Sequence, residues 1–292
     1  MTTGQNRPKA TLCGGNTFVW GERTYVMGVV NVTPDSFSGD GTGDDVEAAV
    51  DLALRMESEG ADIVDVGGES TRRYDNRPGA VPVSTEDELQ RVLPVIKRLS
   101  QALAIPVSVD TYKAEVARRA LDSGASMVND VWGTRADPEM MQLVAEHGVP
   151  IVLMHNQEGQ DYDELVPDVV LSLRQAAQVV MEAGIQPENL IIDPGIGFGK
   201  VAEQSFELER RLGDFKVLGL PIMVGPSRKS HIGLALGGLP PEERLEGTAA
   251  AVAICIAGGA DIVRVHDVKE MVRVARVSDA IVRGWRSQKE RR

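Results

Sequence analysis

Three residues in this chain have side chains suited to reading a flat heterocycle: Asp110, Asn129 and Asp193. A carboxylate only accepts, so it can take paired N–H donors from a guanidine-like edge, whereas an amide offers both a donor and an acceptor. Each aspartate taken alone could equally cap a turn or a following helix. Gly225-Pro-Ser-Arg-Lys229 and Arg264-Val-His266 gather cations and a histidine, a set suited to an anion, with solvated charge at loop tips as the plain alternative. Asp193-Pro-Gly-Ile-Gly-Phe-Gly-Lys200 is one residue short of a phosphate-binding loop and lacks Ser or Thr after the lysine. Its glycines therefore read as turns with positive φ, and Asp193 as its chemically useful member. Asn31 with Asp35 would suit a Mg2+ ion shared with a pyrophosphate, because that ion takes few protein oxygens and keeps waters. The four histidines make no zinc-helix motif, and the sequence has no nucleophile elbow. His155 reads as a pocket wall, and His147 as a charge partner at a helix C-terminus.

What must position these residues is visible as eight short apolar runs, at 25–32, 61–66, 106–109, 126–131, 150–154, 189–192, 221–224 and 260–265. Each ends in a polar or glycine-bearing turn, and amphipathic helical patterns lie between them. Eight strand–helix units with no change of period specify an α/β fold, a (β/α)8 TIM barrel, with its chemistry in the loops after the strands. Asp44 and Asp45 start the first helix and Gly60 ends it; Thr85, with Asp87 and Glu88, gives the second a capping-box-like start. Further helices are expected near 113–122, 138–147, 167–183, 205–212, 242–257 and 269–283. Gly14 and Gly15, between extended residues from Leu12 to Trp20, predict an N-terminal β-hairpin closing the barrel bottom. The segment 283–292 reads as a frayed, solvated basic tail.

The bulk properties agree with one barrel domain over 1–292, since no linker or composition shift interrupts the pattern. A net charge of −12 argues against a nucleic acid or an anionic membrane as partner, so any anion must be held by local cations. Cys13 and Cys255 are too few for a disulfide framework, and Cys255 lies in an apolar helical run that favours a buried thiol. With no signal peptide or long apolar span, a cytoplasmic protein is expected.

The motifs Met27-Gly-Val-Val-Asn-Val-Thr-Pro-Asp-Ser-Phe-Ser38, Gly67-Gly-Glu-Ser-Thr-Arg72, Val107-Ser-Val-Asp-Thr111 and Val128-Asn-Asp-Val131 run in one order with the 193–200 loop, Ser227-Arg-Lys229 and Arg264-Val-His-Asp-Val268. In these the chain resembles the dihydropteroate synthases over almost its whole length. That family joins 6-hydroxymethyl-7,8-dihydropterin pyrophosphate to p-aminobenzoate. The resemblance implies that Asp110, Asn129, Asp193 and Lys229 hold the pterin, and that Arg264, His266 and Asn31 hold the pyrophosphate, with Asn31 also on its Mg2+. Arg264, His266 and Lys229 would carry the catalysis. Phe37, Thr71, Arg72, Pro78 and Ser227 would form the side that takes p-aminobenzoate or a sulfa-type analogue, and the assembly would be a homodimer.

The departures from the family pattern fall in the loops that close its site. An insertion, Arg72-Arg-Tyr-Asp-Asn-Arg77, separates Glu-Ser-Thr-Arg from Pro78-Gly79, leaving Arg72 and Arg77 as competing matches to the family arginine. The first loop reads Ser38-Gly-Asp-Gly-Thr-Gly, Asn156 follows Met154-His155 where a second methionine is usual, and Pro226 replaces a threonine. Misplacing a closing loop by an ångström can cost roughly a hundredfold in rate. These changes therefore predict a diverged second copy that binds pterin with weak or absent synthase activity. The alternatives are a fully active synthase, a barrel of the methyltetrahydrofolate methyltransferase type, which needs no anion grip, and a non-enzymatic pterin-binding protein.

Overall fold

The computed structural model describes residues 7–33, 45–69 and 83–285. Among them are the strands β1 (Ala10–Cys13), β2 (Asn16–Val19), β3 (Tyr25–Asn31), β4 (Ile63–Gly67), β5 (Val107–Asp110), β6 (Met127–Asp130), β7 (Ile151–Met154), β8 (Leu190–Asp193), β9 (Met223–Val224) and β10 (Ile262–Val265). The helices are α1 (Val46–Glu59), α2 (Thr85–Ala102), α3 (Ala114–Asp122), α4 (Glu139–His147), α5 (Leu165–Glu182), α6 (Ala202–Arg210), α7 (Ser230–Ala235), α8 (Leu245–Gly258) and α9 (Val268–Asp279).

Strands β3 to β10 form one parallel sheet in the order β8-β7-β6-β5-β4-β3-β10-β9. A parallel bridge between Ile192 and Ile222, with Ile192 N–H donating to the Pro221 carbonyl at 2.9 Å, closes that sheet into the expected (β/α)8 barrel. Side chains alternate across each strand, and the alternation sorts the core into two parts. Met27, Ile63, Met127, Val152, Ile191, Met223 and Ile262 fill the barrel interior, while Val26, Val64, Val128, Ile151, Leu153 and Ile192 pack outward on the helices.

The hairpin β1–β2 plugs the N-terminal mouth. Phe18 and Trp20 are buried with the interior cluster, and both meet Tyr25 edge-on at centroid distances of 4.8 and 5.6 Å, within the range that favours T-shaped aromatic pairs. Polar tips are satisfied there too: Trp20 Nε1 donates to Thr11 Oγ1 at 3.0 Å, and Val19 N–H donates to the Tyr25 hydroxyl at 2.7 Å. Arg283, expected in a frayed tail, instead locks this end, donating to the carbonyls of Gly21 (3.2 Å) and Ala260 (3.1 Å) and to Asp279 (2.8 Å). Residues 286–292 of that segment lie outside the described residues.

Helix α1 begins and ends as its sequence predicts: Asp45 accepts from Ala48 N–H, and Gly60 closes it at φ 104°, a left-handed conformation that a side chain would strain. Helix α2 corrects the expectation, for its cap is Ser84 and not Thr85; the Ser84 hydroxyl accepts from Asp87 N–H at 3.1 Å, while Thr85 is already helical. Helix α7 was not anticipated, because six residues are too few to show a helical period. Among the described residues, no helix is long and apolar enough to cross a membrane.

Candidate functional site

The strand period lifts a set of polar residues to the C-terminal rim. Asp110, Asn129 and Asp193 are residues of β5, β6 and β8, with Asp110 registered beside Asn129 and Asp193 beside Met154. Asn31 ends β3 beside Gly67, and Arg264 lies in β10 beside Met27. Asp110, Asn129 and Asp193, expected to read a heterocycle, are buried at 8, 2 and 4% exposure, so a ligand meeting them leaves water.

Below the rim, Arg264 is forked between two strands. Its Nε donates to Asp65 Oδ2 at 2.6 Å and its Nη2 to Asp110 Oδ2 at 2.7 Å. Asn129 Nδ2 donates to the same Asp65 oxygen at 2.9 Å. Asp65 thus holds Arg264 and sets the Asn129 amide so that its carbonyl oxygen is left to accept. Among the described residues, Asn129 Oδ1 and Asp65 Oδ1 are buried without a partner, which is costly unless something supplies donors. Sequence reasoning gave Asp65 no role. Its signal was an acid inside an otherwise apolar strand, Ile63-Val-Asp-Val, at the inward-facing period.

Burial dominates the electrostatics of this floor. It pushes Asp110 up to about 7, against the pull of Arg264, and Asp193 up to about 6, against Gly195 N–H, Lys229 and Lys200. Arg264 keeps its proton: burial lowers its pKa, but Asp65 and Asp110 raise it further. Carboxylates so placed gain from any ligand that brings N–H donors.

The loops after β9 and β10, which carry residues expected to grip an anion, are joined side by side. The Ser227 hydroxyl accepts from the His266 backbone N–H at 3.1 Å and lies 3.0 Å from His266 Nδ1. These two bonds hold the imidazole ring of His266 to the turn that carries Ser227. The same two loops are joined again by Arg228, forked onto Asp267 at 3.0 and 2.6 Å. Arg228 adopts φ 57°, unusual outside glycine, and its turn is held by Thr248 Oγ1 on its N–H and by Arg244 on its carbonyl. Lys229 follows at the N-terminus of α7, with Nζ 3.8 Å from the centroid of Phe198, a cation–π distance.

The glycine loop behaves as the sequence predicts. Gly195, Gly197 and Gly199 all have positive φ, and a Cβ on Gly195 would stand 1.9 Å from the His155 carbonyl oxygen, so only glycine fits. Sequence reasoning missed what ties this loop down: Lys200 is buried, donating to the Phe198 carbonyl at 2.8 Å and lying 3.1 Å from His155 Nδ1. Burial and that neighbouring ammonium push His155 down to about 3, so it stays neutral and accepts. His155 is therefore a support for the loop that carries Phe198. Asn156, buried beside it, accepts from Arg135 through its backbone carbonyl.

Asp35, Phe37, Thr71, Arg72 and Pro78 lie outside the described residues. For a metal, Asn31 Oδ1 is one neutral oxygen beside cationic loops, and among the described residues no three His, Cys, Asp or Glu side chains gather into a ligand set. Such a donor fits Mg2+ only as an ion that arrives largely coordinated by phosphate and water.

Comparison with known proteins places these residues among relatives. The family described as pterin binding enzyme matches residues 27–266. A dihydropteroate synthase of Bacillus subtilis is 49% identical over 261 residues, covering 89% of this chain and 90% of its own. The crystal structure of dihydropteroate synthase from Clostridium difficile in the presence of pteroic acid superposes with a TM-score of 0.84 at 48% identity, over 90% of this chain and 98% of that one. That of Xanthomonas albilineans with 4-aminobenzoic acid gives 0.86 at 44%, over 94% and 98%.

Proposed function

Since the chain belongs to the pterin binding enzyme family, with relatives named dihydropteroate synthase at about half identity, we propose that it is an active synthase joining 6-hydroxymethyl-7,8-dihydropterin pyrophosphate to p-aminobenzoate. The observation that carries this reading is a barrel mouth built from the buried Asp110, Asn129 and Asp193, an arginine forked between Asp65 and Asp110, and two loops joined through Ser227 and His266. This reverses the expectation of weak or absent activity. That expectation rested on four departures, of which the 72–77 insertion and the first loop lie outside the described residues and Asn156 and Pro226 within them, whereas relatives of this similarity are named as synthases.

In this reading Asp110, Asn129 and Asp193 accept from the N–H edge of the pterin, and Lys229 donates to a ring acceptor. Their burial makes each pairing selective, because a ring lacking a donor would leave a carboxylate unpaired in a dry pocket. Arg264, His266 and Asn31 hold the pyrophosphate. The C–O bond to pyrophosphate breaks with both electrons leaving on oxygen, and the amine nitrogen of p-aminobenzoate forms the new C–N bond and loses a proton. Charge builds on the departing oxygen, so the fixed donors of Arg264 and His266 stabilise the transition state more than the ground state. A Mg2+ ion, bound with the substrate at Asn31, would add Lewis-acid stabilisation of that leaving group. Ser227, held against His266, with Phe37, Thr71, Arg72 and Pro78, forms the p-aminobenzoate side, where a sulfonamide would compete; the protein acts in the cytoplasm as a homodimer.

The test is a coupled assay for pyrophosphate release with both substrates present. Turnover of about 1 s⁻¹ or faster, in the range of ordinary enzymes, is expected. Pterin binding with neither pyrophosphate nor dihydropteroate formed would return the chain to the inactive reading.

A further inference from the structure

A buried lysine beside the site takes part in no step above. The Lys200 ammonium donates to the Phe198 carbonyl at 2.8 Å and lies 3.1 Å from Nδ1 of His155, and both side chains are buried. Taking an ammonium out of water is costly unless acceptors meet it. His155 can serve as one, because burial and then the Lys200 charge keep its imidazole neutral. The Tyr162 ring stands 5.8 Å from the same nitrogen, and the Tyr162 hydroxyl donates to the Gly199 carbonyl at 2.9 Å.

The loop held in this way lies directly on the segment that follows β7. Gly195 and Gly199 have positive φ, and Cβ atoms there would stand 1.9 Å from the His155 carbonyl oxygen and 2.6 Å from that of Gln157. Gln204 Nε2 adds a bond to the Gln160 carbonyl at 2.9 Å. Lys229 rests on the same loop. A Cβ on Gly197 would meet Lys229 Cδ at 3.0 Å and Nζ at 3.6 Å, and that Nζ is 3.8 Å from the centroid of the Phe198 ring. The seat of Lys229 is therefore Gly197 and Phe198, and the carbonyl of Phe198 is the one that Lys200 holds. At its start the loop is tied to Asp193, whose Oδ1 accepts from Gly195 N–H at 2.7 Å, while Phe198 N–H donates to the Gly195 carbonyl at 3.1 Å.

We propose that Lys200 is a positioning residue for pterin binding: by pinning the Phe198 carbonyl to His155, it fixes the loop surface on which the Lys229 ammonium rests. The inference rests on the function given above, in which Lys229 donates to the pterin. Lys200 touches no substrate in this role. A lysine side chain has much rotamer freedom to lose when it binds a ligand, and a prepared seat removes part of that loss beforehand. Lysine suits the holding position too, since one nitrogen carries donors enough for acceptors from two segments.

The experiment measures the affinity of 6-hydroxymethyl-7,8-dihydropterin, a ring without pyrophosphate, by calorimetry at pH 8.5. Wild type is compared with Lys200→Met, Lys229→Met and the double variant. Lys200 also draws the pKa of Asp193 down, and at this pH Asp193, at about 6, stays ionised, so that separate influence is removed. Lys200→Met should weaken binding about fivefold or more, and in the Lys229→Met background the same change should cost less than about twofold, because the seat has lost its occupant. Hydrogen exchange of peptides covering 194–200 should be faster in Lys200→Met with no ligand present. His155→Asn, whose Oδ1 can accept in place of Nδ1, should bind more tightly than His155→Leu, and this pair supplies the test if Lys200→Met does not fold. Equal losses in the two Lys229 backgrounds would make Lys200 a determinant of the fold alone, and unweakened binding in Lys200→Met would remove it from the site; either outcome overturns the proposal. So would unchanged exchange in 194–200, or equal affinity in the two His155 variants. A wild-type protein that does not bind the dihydropterin overturns the functional reading instead.

Discussion

The two mouths of the barrel are made by the same strands and obey opposite rules. At the N-terminal mouth, Phe18, Trp20 and Tyr25 stack on Met27, Ile63 and Ile262, and the polar tips of Trp20 and Tyr25 are paired. At the C-terminal mouth, buried oxygens of Thr33, Asp65 and Asn129 have no partner among the described residues, two carboxylates are held well above their ordinary range, and Arg228 sits at a left-handed φ. The first end leaves Asp261 Oδ1 unpaired among the described residues but is otherwise bonded within itself, while the second gathers its unpaired oxygens where a ligand can bring donors. The lesson is that stability and chemistry are separated along the strand axis, a few residues apart, so that the reactive end can carry strain because the closed end holds the barrel.

That comparison can be broken or sharpened. The largest effect expected is on the closed end: Trp20→Ala should cost about 3–5 kcal/mol of stability, through lost burial and a cavity, in a denaturant titration. Pterin affinity in the folded variant should stay within twofold, and a larger loss would mean that the ends are coupled. Next comes Arg264→Lys, which keeps the charge but loses the fork that spans Asp65 and Asp110. Its kcat should fall about a hundredfold, or about 2.7 kcal/mol, with the fold retained, as single-turnover kinetics would show.

Asp193→Asn should weaken pterin binding by about 1–3 kcal/mol in calorimetry, since a carboxylate that accepts becomes an amide that offers donors as well. The same substitution should raise the melting temperature of the empty protein at pH 7.5, because a carboxyl held up to about 6 by burial is ionised there at a cost. A variant losing both affinity and stability would break the separation of the two ends. The smallest effect is in pH. With its folded value raised from 3.8 to about 6, Asp193 binds more protons in the folded than in the unfolded state between those values. Its contribution to the stability of the empty barrel therefore falls as pH rises through that window. Pterin affinity should run the opposite way, falling from pH 7.5 to pH 5.5 as Asp110, held up to about 7, and Asp193, held up to about 6, take protons; Asp193→Asn should remove the Asp193 share, about fourfold, and keep the Asp110 share, and an unchanged profile would take Asp193 out of the assignment.

The strands were legible because an apolar run of four to eight residues with a polar turn after it has few other solutions, and each observed strand lies within two residues of its expected limits. The rim residues were legible for a related reason, since a residue at the end of an apolar run must stand at the barrel mouth. What remained hidden was set by pairing between distant segments. Asp65 lies one rung below the rim, and only the approach of Arg264, 199 residues on, gives it a purpose. Lys200 and His155 are 45 residues apart, and no local period connects them. Lys113, which reads as the start of a helix, has its partners at Glu69, Val83 and Glu88. Ser84 and Thr85 are both good caps, and only the chain entering the helix decides between them.

The closure of the barrel is uneven. Strand β9 has two residues, and its contact with β8 is the single bridge from Ile192 to Ile222, whereas β3 and β4 are paired over five registered positions. This is the seam of the cylinder, and the groups flanking it are Asp193 on one side and the turn carrying Ser227 and Lys229 on the other. A ring seated between Asp193 and Lys229 would span the gap as an added rung, supplying the cross-links that the short strand does not make. Substrate would then act as a stave, tightening the cylinder at its narrowest joint. Amide exchange in β8 and β9 should slow on pterin binding more than exchange in β3 and β4 on the far wall.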